Sequence, residues 1–279
     1  MGLLEKEYYA SLIIDMGKVI AVANQKGGVG KTTTTINLGA SLAQQGCRAL
    51  IVDMDPQRNA TIGIGIAVSA DQPSAYELLI GTASIRDVII PTKIDGLSAV
   101  PSRLDLTAAE VELVNVDKRE SILKSQLRFV LAEYDFILID CPPSLGLLTI
   151  NALTAANTVL IPLQCEFFAM DGMGQLMNTI RLIRENLNRE LALEGIVLTM
   201  YDQRNNLARA VMSEAIEYFP AEVFQTIIPR SVRLSEAPSH GLPINKYDKG
   251  SIGAMRYNDL AAEILYKNYN YQTTASKGA

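Results

Sequence analysis

The residues best equipped for chemistry in this 279-residue sequence are nine in a row: Gln25-Lys26-Gly27-Gly28-Val29-Gly30-Lys31-Thr32-Thr33. An apolar run, Val19-Ile20-Ala21-Val22-Ala23, precedes them and reads as a buried strand. A helical pattern, Ile36-Asn37-Leu38-Gly39-Ala40-Ser41-Leu42-Ala43, follows. A glycine turn between strand and helix lets successive backbone N–H groups converge on phosphate oxygens, and the helix N-terminus favours the anion. Gly27, Gly28, Val29 and Gly30 are therefore candidate phosphate-binding residues, and Thr33 continues the set into the helix. Lys31 is placed to reach the β- and γ-phosphates, and the Thr32 hydroxyl to ligate Mg²⁺. Two departures from the ordinary phosphate loop stand out. Gln25 occupies the place of its first glycine, and a second lysine, Lys26, lies inside the loop.

Two more carboxylate groups sit where strands end. Phe136-Ile137-Leu138-Ile139 reads as a buried strand closing on Asp140, the kind of residue that holds Mg²⁺ directly or through water. Arg48-Ala49-Leu50-Ile51-Val52 ends at Asp53-Met54-Asp55-Pro56-Gln57. Phosphoryl transfer to water needs an in-line nucleophile, and a carboxylate can align it.

The elements that position these groups alternate. Short helices are expected over Ser74–Ile80 and Ile85–Ile89, a strand over Leu97–Val100, and helices over Leu104–Leu113 and Glu120–Ala132. Thr158–Pro162 reads as a strand, Gly172–Asn186 as a helix, and Leu191–Thr199 and Val223–Ile228 as the last strands, with a helix near Leu207–Tyr218 between them. A final helix is expected over Ile252–Tyr269. Strands alternating with helices imply an α/β fold, a mostly parallel sheet with helices on both faces and ligands at the carboxyl ends of the strands. The glycine loop, Asp53 and Asp55, Asp140, and the Pro162–Glu166 turn all fall at such ends. The sequence divides into an N-terminal extension of unknown status at 1–15, a single domain over 16–269, and a polar tail, expected to be flexible, at 270–279.

Composition narrows the classes further. Three cysteines without CxxC spacing argue for reduced thiols in a cytoplasm, against a disulfide frame or a metal cluster. The longest apolar stretch, Phe136 to Met170, is interrupted by prolines, asparagines and Glu166, so no membrane span is expected. The single histidine, His240, has no nucleophile partner in the pattern, and Met170, Met173 and Met177 read as packing residues. Net charge is −5, yet residues 200–256 carry seven basic and six acidic groups, so the C-terminal third is the relatively basic part.

Lys26-Gly27-Gly28-Val29-Gly30-Lys31-Thr32 resembles the deviant phosphate loop of the ParA/MinD family of P-loop ATPases. Ile139-Asp140-Cys141-Pro142-Pro143-Ser144 and Ile228-Pro229-Arg230-Ser231-Val232-Arg233-Leu234-Ser235-Glu236 are similar to its chromosomal ParA branch, also called Soj. The resemblance covers about residues 18–268. It implies a single-domain P-loop ATPase, hydrolysing ATP with Mg²⁺ as a sandwich homodimer. Lys26 would cross the interface to the partner's nucleotide, and together with Lys31 would stabilise the transition state. Asp55 would be the hydrolytic residue, and Asp53 would support the Mg²⁺ held by Thr32 and Asp140. The same resemblance implies non-specific binding of double-stranded DNA by the dimer through Arg204 and Arg233, with Arg230 and Arg209 as additions. It further implies nucleoid-associated chromosome partition, with hydrolysis stimulated by a ParB-type centromere-binding protein.

The alternative is a MinD-like membrane-cycling ATPase in division-site placement. That role needs a basic amphipathic C-terminal helix, and Tyr266-Lys267-Asn268-Tyr269-Asn270-Tyr271-Gln272 has little basic or continuous apolar face. A nitrogenase-reductase-like carrier would need cysteines in motifs that Cys141 and Cys165 do not occupy. A metabolic ligase would need a substrate pocket that the sequence does not identify.

Overall fold

Four apolar strand segments lie side by side because each is buried on both faces. They are β1 (Lys18–Val22), β2 (Ala49–Asp53), β5 (Phe136–Asp140) and β6 (Thr158–Gln164). With β3 (Ile90–Pro91), β4 (Leu97–Val100) and β7 (Ala192–Thr199) they form one seven-stranded sheet in the order β3-β4-β2-β5-β1-β6-β7. Every pairing is parallel except β3 with β4. The computed structural model describes residues 17–69 and 71–277, so the expected extension at 1–15 lies outside the described residues.

Strand alternation sorts the core into two layers. Ile20, Val22, Ile51, Leu138 and Leu160 face α1 (Lys31–Gln44) and the last helix, Ile252–Lys277. Ala21, Val52, Ile137, Ile139 and Ile161 face the other side, where helices Leu147–Ala155, Ala169–Asn186 and Asn206–Tyr218 pack. Helices therefore cover both faces, as parallel pairing requires.

Several elements differ from the sequence reading. Val223–Ile228 does not form a strand: it meets β7 through the isolated bridge of Val223 with Ile196 and through the Phe224 N–H to the Ile196 carbonyl at 2.9 Å and the Ile228 N–H to the Leu198 carbonyl at 2.8 Å. The cause is visible at Gln225 and Thr226, whose N–H groups donate to the Glu263 carboxylate at 2.8 and 3.1 Å instead of to a ladder. The stretch Glu120–Ala132 is broken into a 3-10 turn at Arg119–Ser121, a helix at Ile122–Leu127 and a 3-10 turn at Leu131–Glu133. The two-residue β3 and the helix Leu147–Ala155 were not anticipated. The final helix continues to Lys277 instead of ending at Tyr269, since residues 270–277 contain neither glycine nor proline.

Candidate nucleotide and metal site

Strand register brings the acidic residues together. Asp53 ends β2 directly beside Asp140 at the end of β5, and Asp140 is also the neighbour of Val22 on β1, whose chain runs on into the glycine loop. That loop turns through Gly28 at φ 76° and Gly30 at φ 92°, left-handed values that glycine adopts without penalty. Gly30 caps α1, and its carbonyl accepts the Thr34 N–H at 2.8 Å. The residues from Gly27 to Thr33 thus wrap the N-terminus of a 14-residue helix.

The two loop lysines have different fates. Lys31 is buried, and its Nζ donates to the Lys26 carbonyl at 3.2 Å. Burial pushes its ammonium below the usual lysine range, and the Asp140 carboxylate opposes that shift. Lys26 turns away: its Nζ sits 2.7 Å from Glu166 Oε2, beyond the end of β6.

Asp140 is fully buried and accepts two hydroxyls from one face of α1, Thr32 Oγ1 at 2.8 Å and Thr35 Oγ1 at 3.0 Å. Asp53 is engaged at both oxygens, accepting the Asp55 N–H at 3.1 Å, the Thr61 N–H at 2.8 Å and the Thr61 hydroxyl at 2.7 Å. Burial, then repulsion from Asp53, raises the Asp140 carboxyl well above its ordinary range; burial raises Asp53 as well. Two adjacent buried carboxylates leave negative charge that Lys31 balances only in part. A divalent cation fits that imbalance. No group of three or more His, Cys, Asp or Glu able to hold a metal occurs among the described residues.

Asp55 is buried, its Oδ1 accepting the Gln57 N–H at 2.9 Å, while no donor among the described residues reaches Oδ2. Its backbone carbonyl is held by Ser102 Oγ at 2.8 Å, and the Ser102 N–H donates to Thr61 Oγ1 at 2.9 Å. Thr35, Thr61, Ser102 and Glu166 were not singled out from the sequence. Only Thr35 had a local signal, standing three residues after Thr32 on the same helix face. A recess of about 100 Å³ adjoins the loop, lined by Gly30, Thr33, Thr199, Met200, Pro229 and Arg230.

Arg230 borders this recess, whereas Arg204 and Arg233 are each paired with carboxylates. Arg204 is exposed and pairs with Asp202 at 2.8 Å, which with Arg230 nearby draws the Asp202 carboxyl down to about 2. The Arg230 N–H donates to the Tyr201 carbonyl at 3.1 Å, bringing Arg204 and Arg230 to one edge of the sheet. Arg233 instead pairs with Glu236 at 3.1 Å and Asp248 at 3.5 Å. Arg209 donates to the Gln203 carbonyl at 3.0 Å. The cysteines are buried and unbridged; burial pushes the Cys47 thiol up to about 12 and Cys165 up to about 11, which makes both inert. Met173 is buried and Met170 and Met177 pack against the same core, and the His240 ring stacks on Tyr247 with centroids 4.9 Å apart.

A family model described as an AAA domain matches residues 17–193. The sporulation initiation inhibitor protein Soj of Bacillus subtilis is 53% identical over 249 residues, covering 89% of this chain and 98% of that protein. The chromosome partitioning protein ParA of Myxococcus xanthus is 53% identical over 253 residues, 91% of this chain and 89% of that protein. Among solved structures, cobyrinic acid a,c-diamide synthase from Mycobacterium smegmatis with bound ADP and magnesium superimposes with a TM-score of 0.78 at 37% identity. That match covers 88% of this chain and 93% of the other.

Proposed function

We propose that this chain, which belongs to the ParA/Soj family of P-loop ATPases, is a chromosome-partitioning ATPase that binds DNA as an ATP-joined homodimer and releases it on hydrolysis. The observation that carries this reading is the divergence of the two loop lysines. Lys31 is buried against its own loop, whereas the Lys26 ammonium lies outside it, part-exposed on Glu166.

In this reading the glycine loop cradles the phosphates of ATP, and the base lies in the recess between Met200 and Pro229. Bound Mg²⁺ supplies a Lewis acid that neutralises charge on the phosphates. Thr32 and Asp140 would hold it. Asp53, with both oxygens already engaged by backbone and hydroxyl donors, acts as a fixed supporting charge. Asp55 keeps Oδ2 free to align the attacking water, and Ser102 fixes the loop that carries it. Lys31 in its own chain and Lys26 from the partner offset the charge that develops in transfer. Arg204, Arg230 and Arg233 supply the DNA contacts, and a ParB-type protein stimulates turnover.

A membrane-cycling role finds less support. The apolar face of the last helix, Ala254, Tyr257, Leu260, Ala261, Ile264 and Leu265, is already buried against the sheet layer.

The test is sedimentation velocity with saturating ATP and Mg²⁺. Asp55→Ala is expected to run as a stable dimer that retains DNA, and Lys31→Ala as a monomer that loses nucleotide. Single copies of Asp55→Ala at saturating ATP would remove the basis of the clamp, and normal turnover by that variant would remove the role given to Asp55.

A further inference from the structure

Glu166 has no part in the chemistry described above, yet it is held with some care. One carboxylate oxygen accepts the Lys26 ammonium at 2.7 Å, and the other accepts the side-chain amide of Gln164, the last residue of β6. The same two segments are joined a second time through Asn24. Its side-chain amide donates to the Pro162 carbonyl at 2.8 Å, while its Oδ1 accepts the Lys26 N–H at 3.0 Å. Lys26 is thus tethered to its own protomer by backbone and side chain together. The ion pair remains reachable, with side-chain exposures of 34% for Lys26 and 46% for Glu166.

We propose that Glu166 is a positioning residue that withholds Lys26 from a partner's nucleotide, so that joining two protomers requires two intramolecular ion pairs to be broken. The inference rests on the reading that Lys26 acts across a dimer interface. The directions conflict: an ammonium seated on Glu166 lies against its own β6, and one reaching a neighbour's phosphates must leave it. A part-exposed pair of this kind is worth a factor of about 1.5 to 5 in an equilibrium constant. Because each dimer breaks two, the penalty on dimerisation is about 2- to 30-fold. That is small beside the attraction of a triphosphate for a lysine and large enough to disfavour pairing without one. The contact therefore acts as a threshold, keeping protomers apart until nucleotide supplies the competing anion.

The experiment compares Glu166→Gln with the native residue in the Asp55→Ala background, so that turnover does not empty the site. The dimer dissociation constant is measured by sedimentation at saturating ATP and Mg²⁺. Glu166→Gln is expected to tighten the dimer about 2- to 30-fold. An unchanged or weaker dimer overturns the proposal, since Glu166 would then be inert or would contribute attraction across the interface. A second readout uses the nucleotide-free monomer with ¹³C-dimethylated lysines, the Lys26 resonance being identified by its loss in Lys26→Ala. Glu166→Gln is expected to move that resonance, and an unmoved one also overturns the proposal. Absence of a dimer in both proteins would sink the two-copy reading and this inference with it. A dimer with an unchanged constant would sink this inference alone.

Discussion

At the scale of single residues, the pocket is a problem of excess negative charge in a dry place. Asp53 and Asp140 are neighbours in register and both fully buried, so burial disfavours ionisation of each, and the Asp53 charge adds to this at Asp140. Three hydroxyls offset this: Thr32 and Thr35 donate to Asp140, and Thr61 to Asp53. Thr35 is the informative one, because it has no assigned contact with metal or phosphate and its effect is separable from binding. Valine at that position keeps the shape and removes the donor. Thr35→Val should leave Asp140 one partner short and cost about 1–3 kcal/mol, the penalty for a buried acceptor left unsatisfied. Urea unfolding of the nucleotide-free protein measures it; a change below about 0.5 kcal/mol would mean that Asp140 is neutral or otherwise satisfied there.

At the scale of elements, the far end of the sheet is closed by a polar cluster that the strands alone do not explain. Lys18 opens β1 and pairs with Glu194 of β7, although β6 lies between them. Thr158 of β6 donates to the same carboxylate at 2.7 Å, and Asn268 of the last helix donates to it at 3.2 Å. Glu194 is buried, so truncation strands the Lys18 ammonium in a site where burial already pushes it below the usual lysine range. Glu194→Ala is expected to cost about 3–5 kcal/mol, and the pair Lys18→Met with Glu194→Leu to recover most of that. Chemical denaturation of the three proteins decides it; equal losses in single and double variants would rule out the unpaired charge as the cause. The cluster also marks the limit of reading this chain by pattern. Apolar runs ending in Asp53 and Asp140 were legible because both burial and the strand-end acid are local features. The Val223–Ile228 edge was not, since it depends on Glu263 taking two N–H groups from almost forty positions away. Glu166 escaped for the same reason: its partner Lys26 is 140 residues distant. The helix Leu147–Ala155 was hidden differently, its mixture of apolar and hydroxyl residues giving no polar face because it is buried nearly all round.

At the scale of the whole molecule, a chain of net charge −5 is asked to bind a polyanion, and two of the arginines proposed for that task, Arg204 and Arg233, are tied to carboxylates. One protomer therefore offers DNA little; two offer six guanidinium groups if Arg204, Arg230 and Arg233 are doubled. Counterion release then sets the salt dependence. Six phosphate contacts give a slope of log affinity against log salt of about −5, and Arg204→Ala, which removes two of the six, should flatten it to about −4. Asp202→Asn acts the other way. It frees the Arg204 guanidinium and deletes a negative charge in each protomer, so affinity at low salt should rise about 2- to 5-fold per site. Filter binding to mixed-sequence duplex, with the Asp55→Ala dimer held in ATP, reads both effects at several salt concentrations. A slope unchanged by Arg204→Ala would place the DNA on another face. Weaker binding by Asp202→Asn would mean that the Asp202 pair holds Arg204 in its binding geometry rather than competing for it.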